Sequence, residues 1–262
     1  MSATSTLDME AGDKLKTTVS TDRPSLVRWV GQPVLCIVVV VAALVYVHQA
    51  NVSETERRSL GISTLLTLLG QHLLISVIAT VLVSAIAIPL GILLTRGSMR
   101  RFSKPIITVA GFGQAAPAIG LIALGAAIFG IGKVGVVAAL TVYGILPIVA
   151  NTVAGLDGVD PRLVEAARGM GMSGMSTLLR VELPLALAVI VAGVRTALVL
   201  IVGTAALATF TGGGGLGSLI TTGITLQEDV VLVVGAILVA ALALFIDWLA
   251  RVLELVAAPK GL

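Results

Sequence analysis

The sequence predicts an all-α integral membrane protein with about six transmembrane helices, and three observations point there. First, 57% of the 262 residues are hydrophobic, only 12% are charged, and the mean hydropathy is +1.08. A soluble domain carries about twice that share of charge, so the excess apolar surface must face lipid. Second, the apolar runs are about twenty residues long and apolar on all sides, whereas a membrane β-barrel needs segments of about ten residues with alternating polarity. Third, glycine occurs 29 times while aromatics make up 3%, a composition that lets helices approach closely in a bilayer.

The runs lie at 28–48, 72–95, 106–129, 134–154, 185–209 and 230–250. Each is long enough to cross about 30 Å of hydrocarbon at about 1.5 Å per residue. Residues 1–27 are polar and mixed in charge, with Asp8, Glu10 and Asp13, and read as a cytoplasmic tail. The first run, followed by Gln49-Ala50-Asn51, has a long and partly acidic region before it, which favours a retained helix over a cleaved signal peptide. Residues 28–60 then form a first helix with an external loop, 61–255 the main transmembrane domain, and 256–262 a cytoplasmic tail. Pro89, Pro117 and Pro147 each fall inside a run, as packing bends or as kinks that shape a pathway.

Orientation follows from the basic residues in the connections. With both ends cytoplasmic, the inner segments hold Lys14, Lys16, Arg23, Arg28, Arg96, Arg100, Arg101, Lys104, Arg162, Arg168, Arg180, Arg251 and Lys260, and the outer ones only Arg57, Arg58 and Lys133. Thirteen against three places both termini inside, with Arg195 left within a span.

Several chemistries are excluded or unsupported. The single Cys36 has no internal disulfide partner, and His48 and His72 are too far apart to suggest metal-ligand spacing. No nucleophile–base pair or intramembrane dyad supports an enzyme. No Walker A motif is present: Gly132-Lys133 lacks the upstream glycine and is followed by Val134. Residues Gly212 to Gly217 formally contain GxGxxG but follow a membrane helix on the outer side, so they read as an external loop rather than a nucleotide site. Asp247 is the one clear carboxylate within the spans, which argues against an ion-coupled carrier.

The informative stretch is the connection at 155–184 between the fourth and fifth runs. Asp160 suits an N-cap and Pro161 the first helical position, while Gly169 and Gly171 stop the helix. Ser173 or Ser176 then caps a second short helix running to Leu183, with Pro184 separating it from the next span or opening that span. A solvated loop is the bland alternative, but this one is rich in small residues and structured. Ala166 and Ala167 would let a partner surface come close, Gly171 would permit a tight turn, and Glu165 offers an anion to a partner's arginine or backbone amide.

Glu165-Ala166-Ala167, Gly171 and Leu183-Pro184 resemble the EAA loop of ABC importer permeases, at that family's spacing. Gly113-Gln114-Ala115-Ala116-Pro117, Tyr143-Gly144-Ile145-Leu146-Pro147, Gly193-Val194-Arg195-Thr196-Ala197 and Gly215-Leu216-Gly217 extend the likeness, over about residues 70–250, to osmoprotectant permeases. The resemblance implies the type I ABC importer permease fold, with the 155–184 loop forming a cytoplasmic coupling helix that docks on a separate ATPase. It implies a bacterial inner-membrane importer of glycine betaine, choline, carnitine or a related quaternary amine. A permease for an amino acid such as methionine is the alternative cargo class. Partners implied are nucleotide-binding subunits holding ATP and Mg, a second permease copy or paralogue, and an external substrate-binding protein. No cofactor, metal or nucleic acid is expected on this chain. Gln114, Pro117, Tyr143 and Arg195 are pathway candidates, and Gly215 and Gly217 an outer-gate turn. Arg195 recurs across importers of unrelated cargo, so a structural ion pair with Asp247 or Glu182 is expected over substrate contact.

Overall fold

A computed structural model describes residues 26–49 and 53–257, so the tails expected at 1–27 and 256–262 lie almost wholly outside the described residues. Every regular element among them is helical. In order they are α1 (Leu26–Gln49), α2 (Glu54–Ser59), α3 (Ile62–Leu94), a 3-10 turn (Gly97–Phe102), α4 (Ser103–Ala115) and α5 (Ala118–Phe129). Then come α6 (Lys133–Asp157), α7 (Pro161–Gly169), α8 (Gly174–Thr177), a π turn (Leu178–Glu182) and α9 (Leu183–Thr204). A second 3-10 segment (Ala205–Thr211), α10 (Gly217–Leu226) and α11 (Asp229–Ala257) follow.

Among the described residues, five helical stretches are long and apolar enough to cross a membrane, or six when α4 and α5 count as one broken span. The core is the three-helix contact of α3, α6 and α9, where Ile75, Ala79, Val83, Leu140, Ile148, Ala197 and Ile201 are buried together. A second cluster joins Leu60, Leu216, Leu219, Val231 and Val234, and packs α10 and α11 against the start of α3. The N-terminal helix α1 leans on α11, its Gln32 amide donating to the Leu244 carbonyl at 2.9 Å.

Three expectations are corrected. The run at 106–129 is two helices bent by 95°. Pro117 offers no N–H to the preceding turn and holds Ala116 in extended backbone (ψ 143°), which ends α4 there. Pro89 and Pro147, by contrast, stay inside α3 and α6. The run expected at 72–95 belongs to a helix that begins at Ile62, ten residues earlier, because Gln71 and His72 interrupt the hydropathy but not the helix. Ser173, rather than Ser176, caps the second short helix, and that helix does not end at Leu183. It runs on into α9 through the π turn, in which Leu183 N–H bonds to the Leu178 carbonyl. Pro184 lies in the first turn of α9. Its ring would crowd the carbonyl four residues back, and the widened turn relieves that crowding.

Candidate functional site

The α7 loop is built as its residues suggest. Asp160 accepts the Arg162 N–H at 2.9 Å, and Pro161 fills the first turn. The helix is closed by Gly171, whose φ of +85° requires glycine although no atom lies within 4 Å of where a Cβ would stand. Ser173 then caps α8 by accepting the Ser176 N–H.

The underside of the loop is pinned to the bundle by Leu156, Val159, Leu178, Ala186 and Ile190, with Val164 and Leu183 packed against them. Glu165 and Ala166 point outward with Arg162, Leu163, Arg168 and Met170, and Pro184 is also exposed. Ala167 is only 2% exposed, so it serves the seat of α7 rather than its outer face, a correction to pairing it with Ala166.

Charge pairs brace this end of the bundle. Arg96, just past α3, makes a two-pronged bond to Glu182, with Nη1 3.1 Å from Oε1 and Nη2 on Oε2. Glu182 is therefore not the partner of Arg195, as one of the two expectations had it. The π turn aims it at α3, and only 5% of it is exposed. Arg100 and Asp157 pair at 3.1 Å on the surface nearby.

Arg195 does pair with Asp247, the other expected partner, through Nε at 2.9 Å and Nη2 at 2.8 Å. It also reaches Glu254 at 3.1 Å. Asp247 in turn takes Arg251 at 3.1 Å and the Gln32 amide of α1 at 3.3 Å. Arg195 thus ties α9 to α11 within a cluster that also includes α1.

The other pathway candidates gather elsewhere. Helix α4 buries none of its own residues, and α5 buries only Ile122 and Gly125. Their outer face shows Val109, Phe112, Leu124, Ile128 and Phe129. A Cβ on Gly113 would meet Val142 of α6 at 3.4 Å, so the adjacent Gln114 and Tyr143 share the α4–α6 seam, with Pro117 at the break beside it. Gln114 and Tyr143 are half-buried, and neither hydrogen-bonds to another side chain or to the backbone among the described residues. Gln114 and Tyr143 each adjoin in sequence the close approach of Gly113 to Val142, and Arg195 lies apart in the α9–α11 ion-pair cluster.

The glycine run at 212–217 is not a loose external loop. Gly213, Gly215, Leu216 and Gly217 are buried. A Cβ on Gly217 would stand 1.8 Å from the Ala206 carbonyl oxygen, so backbone packs on backbone there. The Gly215 N–H donates to Gln71 Oε1 at 3.1 Å, and the Gly132 N–H donates to the Thr211 carbonyl at 2.8 Å. This knot joins α3, α6 and α10 at the end of the bundle away from α7.

Reading the sequence missed Glu254, Gln32, the Arg96–Glu182 pair and the Gln71–His72 contacts. The one available signal was two adjacent polar residues, Gln71 and His72, at the edge of a long apolar run.

Comparison with known proteins agrees with this geometry. Residues 87–255 match the family described as the binding-protein-dependent transport system inner membrane component. The chain is 41% identical over 193 residues to the glycine betaine/carnitine/choline transport system permease protein of Bacillus subtilis (strain 168), covering 74% of this chain and 88% of that one. It is 39% identical over 203 residues to an osmoprotectant import permease protein of Salmonella typhimurium, covering 76% and 94%. Among solved structures, the MetNI methionine ABC transporter in an inward-facing form matches with a TM-score of 0.66 at 22% identity, covering 79% of this chain and all of that one. That likeness establishes the shared fold, type I ABC importer permease. On the extent of these matches the chain is a multi-pass membrane protein that belongs to the family of binding-protein-dependent transport system inner membrane components.

Proposed function

We propose that this chain is the transmembrane permease subunit of an ATP-driven importer for a quaternary-amine osmoprotectant such as glycine betaine, choline or carnitine. The observation that carries the reading is α7: a short helix with an exposed polar face, seated on the bundle by Ala167 and Val164, between two spans. Force applied to it reaches α9 directly, because α8, the π turn and α9 form one helical path from Gly174 to Thr204. ATP and Mg reside on separate nucleotide-binding subunits that receive the Glu165–Ala166 face. The basic-residue bias puts α7 and both termini in the cytoplasm of a bacterial inner membrane.

The open α4–α5 flank, with Gln114, Pro117 and Tyr143, faces a second permease copy or paralogue across the pathway. Selectivity rests with an external binding protein. Quaternary ammonium groups are held by cages of several aromatic rings, and α4 to α6 of one chain offer only Tyr143 and the outward-facing Phe112 and Phe129. Trp248 packs on Phe245 with ring centroids 5.7 Å apart, on α11.

Proteoliposomes holding the permease, its ATPase and its binding protein test this. ATP-dependent uptake of labelled betaine, choline or carnitine is expected, with none when the binding protein is left out. Uptake of methionine alone would move the cargo to the amino-acid class while leaving the importer intact. For orientation, in a chain with Cys36 replaced, Ser98→Cys and Met170→Cys should resist an impermeant thiol reagent in intact cells, and Thr225→Cys should react. Labelling of Met170→Cys from outside would reverse the topology.

A further inference from the structure

Two adjacent side chains of α3 hold both ends of one irregular segment. At the C-terminus of α9 the last carbonyls lack helical donors. One of them, on the fully buried Val202, lies 2.9 Å from His72 Nε2. A carbonyl only accepts, so Nε2 is the donor in this bond. His72 is 1% exposed, and Nδ1 has no partner among the described residues. Thirteen residues on from Val202, the Gly215 N–H donates to Gln71 Oε1. The chain between these points is a 3-10 segment (Ala205–Thr211) followed by glycines with φ of +74° at Gly212, +78° at Gly214 and +92° at Gly215. A Cβ on Gly215 would lie 3.2 Å from His72 Nδ1, so glycine is what lets the turn close over the ring. The Val202 carbonyl and the Gly215 backbone both lie against the imidazole.

We propose that Gln71 and His72 are positioning residues for transport: they clasp segment 205–216 onto α3, and the clasp releases when the end of the bundle away from α7 opens. The proposal rests on the importer reading above. The helical path from Gly174 to Thr204 is a lever of about 46 Å at 1.5 Å per residue. Its near end carries the α7 loop, and its far end is fastened to α3 by the His72–Val202 bond. Any rigid shift of α9 driven from α7 must break or move that bond. Sequence separation hides the device: Gln71 and His72 lie 130 or more residues from the groups they hold.

The test uses the complete complex of permease, ATPase and binding protein in proteoliposomes. His72→Leu keeps bulk and removes the bond. His72→Gln keeps an amide N–H near the Nε2 position. With the clasp gone, ATP hydrolysis in the absence of binding protein should rise by about threefold to tenfold, the range one lost hydrogen bond spans, and uptake per ATP should fall by a like factor. His72→Gln should restore coupling, and both complexes should assemble. A purely structural histidine would shift the melting temperature without raising hydrolysis. An assembled His72→Leu complex with normal coupling overturns the proposal, as does a His72→Gln complex no better than His72→Leu. Should His72→Leu fail to assemble, Gln71→Leu decides, since Gln71 is only half-buried: uncoupling in the same direction supports the clasp and normal coupling overturns it. A wild-type complex with no ATP-driven uptake would defeat the importer reading instead.

Discussion

Removing Arg96 should cost more than removing Glu182, although the two share one ion pair. Glu182 is 5% exposed and sits in the π turn at the base of the coupling loop. The Arg96 side chain is 33% exposed, so its guanidinium reaches water when its partner is lost. Arg96→Met strands a buried carboxylate, a loss of about 3–5 kcal/mol for a broken buried pair. Glu182→Leu strands a guanidinium that water can partly serve, and the loss shrinks to about 1–3 kcal/mol. The double substitution removes both charges, and its cost should fall below the sum of the singles by about 2 kcal/mol. Unfolding of the purified chain in mixed micelles, titrated with a denaturing detergent and followed by circular dichroism, gives all three values. Equal costs for the two singles, or an additive double, would falsify the burial argument. The same variants connect stability to coupling, because the pair fixes the π turn that leads into α9 to the chain just past α3. Arg96→Met should therefore lower transport-linked ATP hydrolysis as well.

Three other outcomes follow from single positions. Gly217→Ala places a methyl group 1.8 Å from the Ala206 oxygen; the chain should fail to accumulate, with a loss above about 4 kcal/mol, read by detergent-resistant yield. Gly171→Ala meets no neighbour but must hold a φ of +85°, so it should cost about 1–2 kcal/mol locally and lower ATPase association in pull-down while insertion stays normal. Pro117→Ala returns an N–H at the break. With arms of 13 and 12 residues bent by 95°, spin labels at Lys104 and Phe129 should lie about 24 Å apart in the native chain and move toward the straight-helix value of about 37 Å in the variant. An unchanged distance would show that packing on α6, rather than proline, holds the bend.

The fold class and most spans were legible in the sequence because lipid imposes a one-dimensional rule. A span must be about twenty apolar residues long and must satisfy its own backbone, and both requirements are local. The α7 loop was legible for a similar reason. Asp160, Pro161, Gly171 and Ser173 are capping and turn residues whose effects stay within a few positions. Pro117 was read as a feature inside one span, but whether a proline kinks a helix or breaks it depends on what packs around it. Pro89 and Pro147 lie in helices that contribute buried residues to the core, whereas α4 buries none. Hydropathy hid the first ten residues of α3, since Gln71 and His72 look like a boundary until their distant partners are known. The glycine run showed only that the backbone there was free to turn.

What the sequence determined by itself was the solvent of each segment and the local punctuation of the chain. Only the tertiary structure decided which partner each polar group found inside. Glu182 went to Arg96, Arg195 to Asp247 and Glu254, and His72 to Val202, across separations of 52 to 130 residues. In an apolar interior an unpaired charge or donor is costly, but that cost does not say which partner is taken. The choice falls to helix rotation and register, which are set by side chains from α3, α6, α9 and α11 packing together, and no single stretch of sequence contains that information.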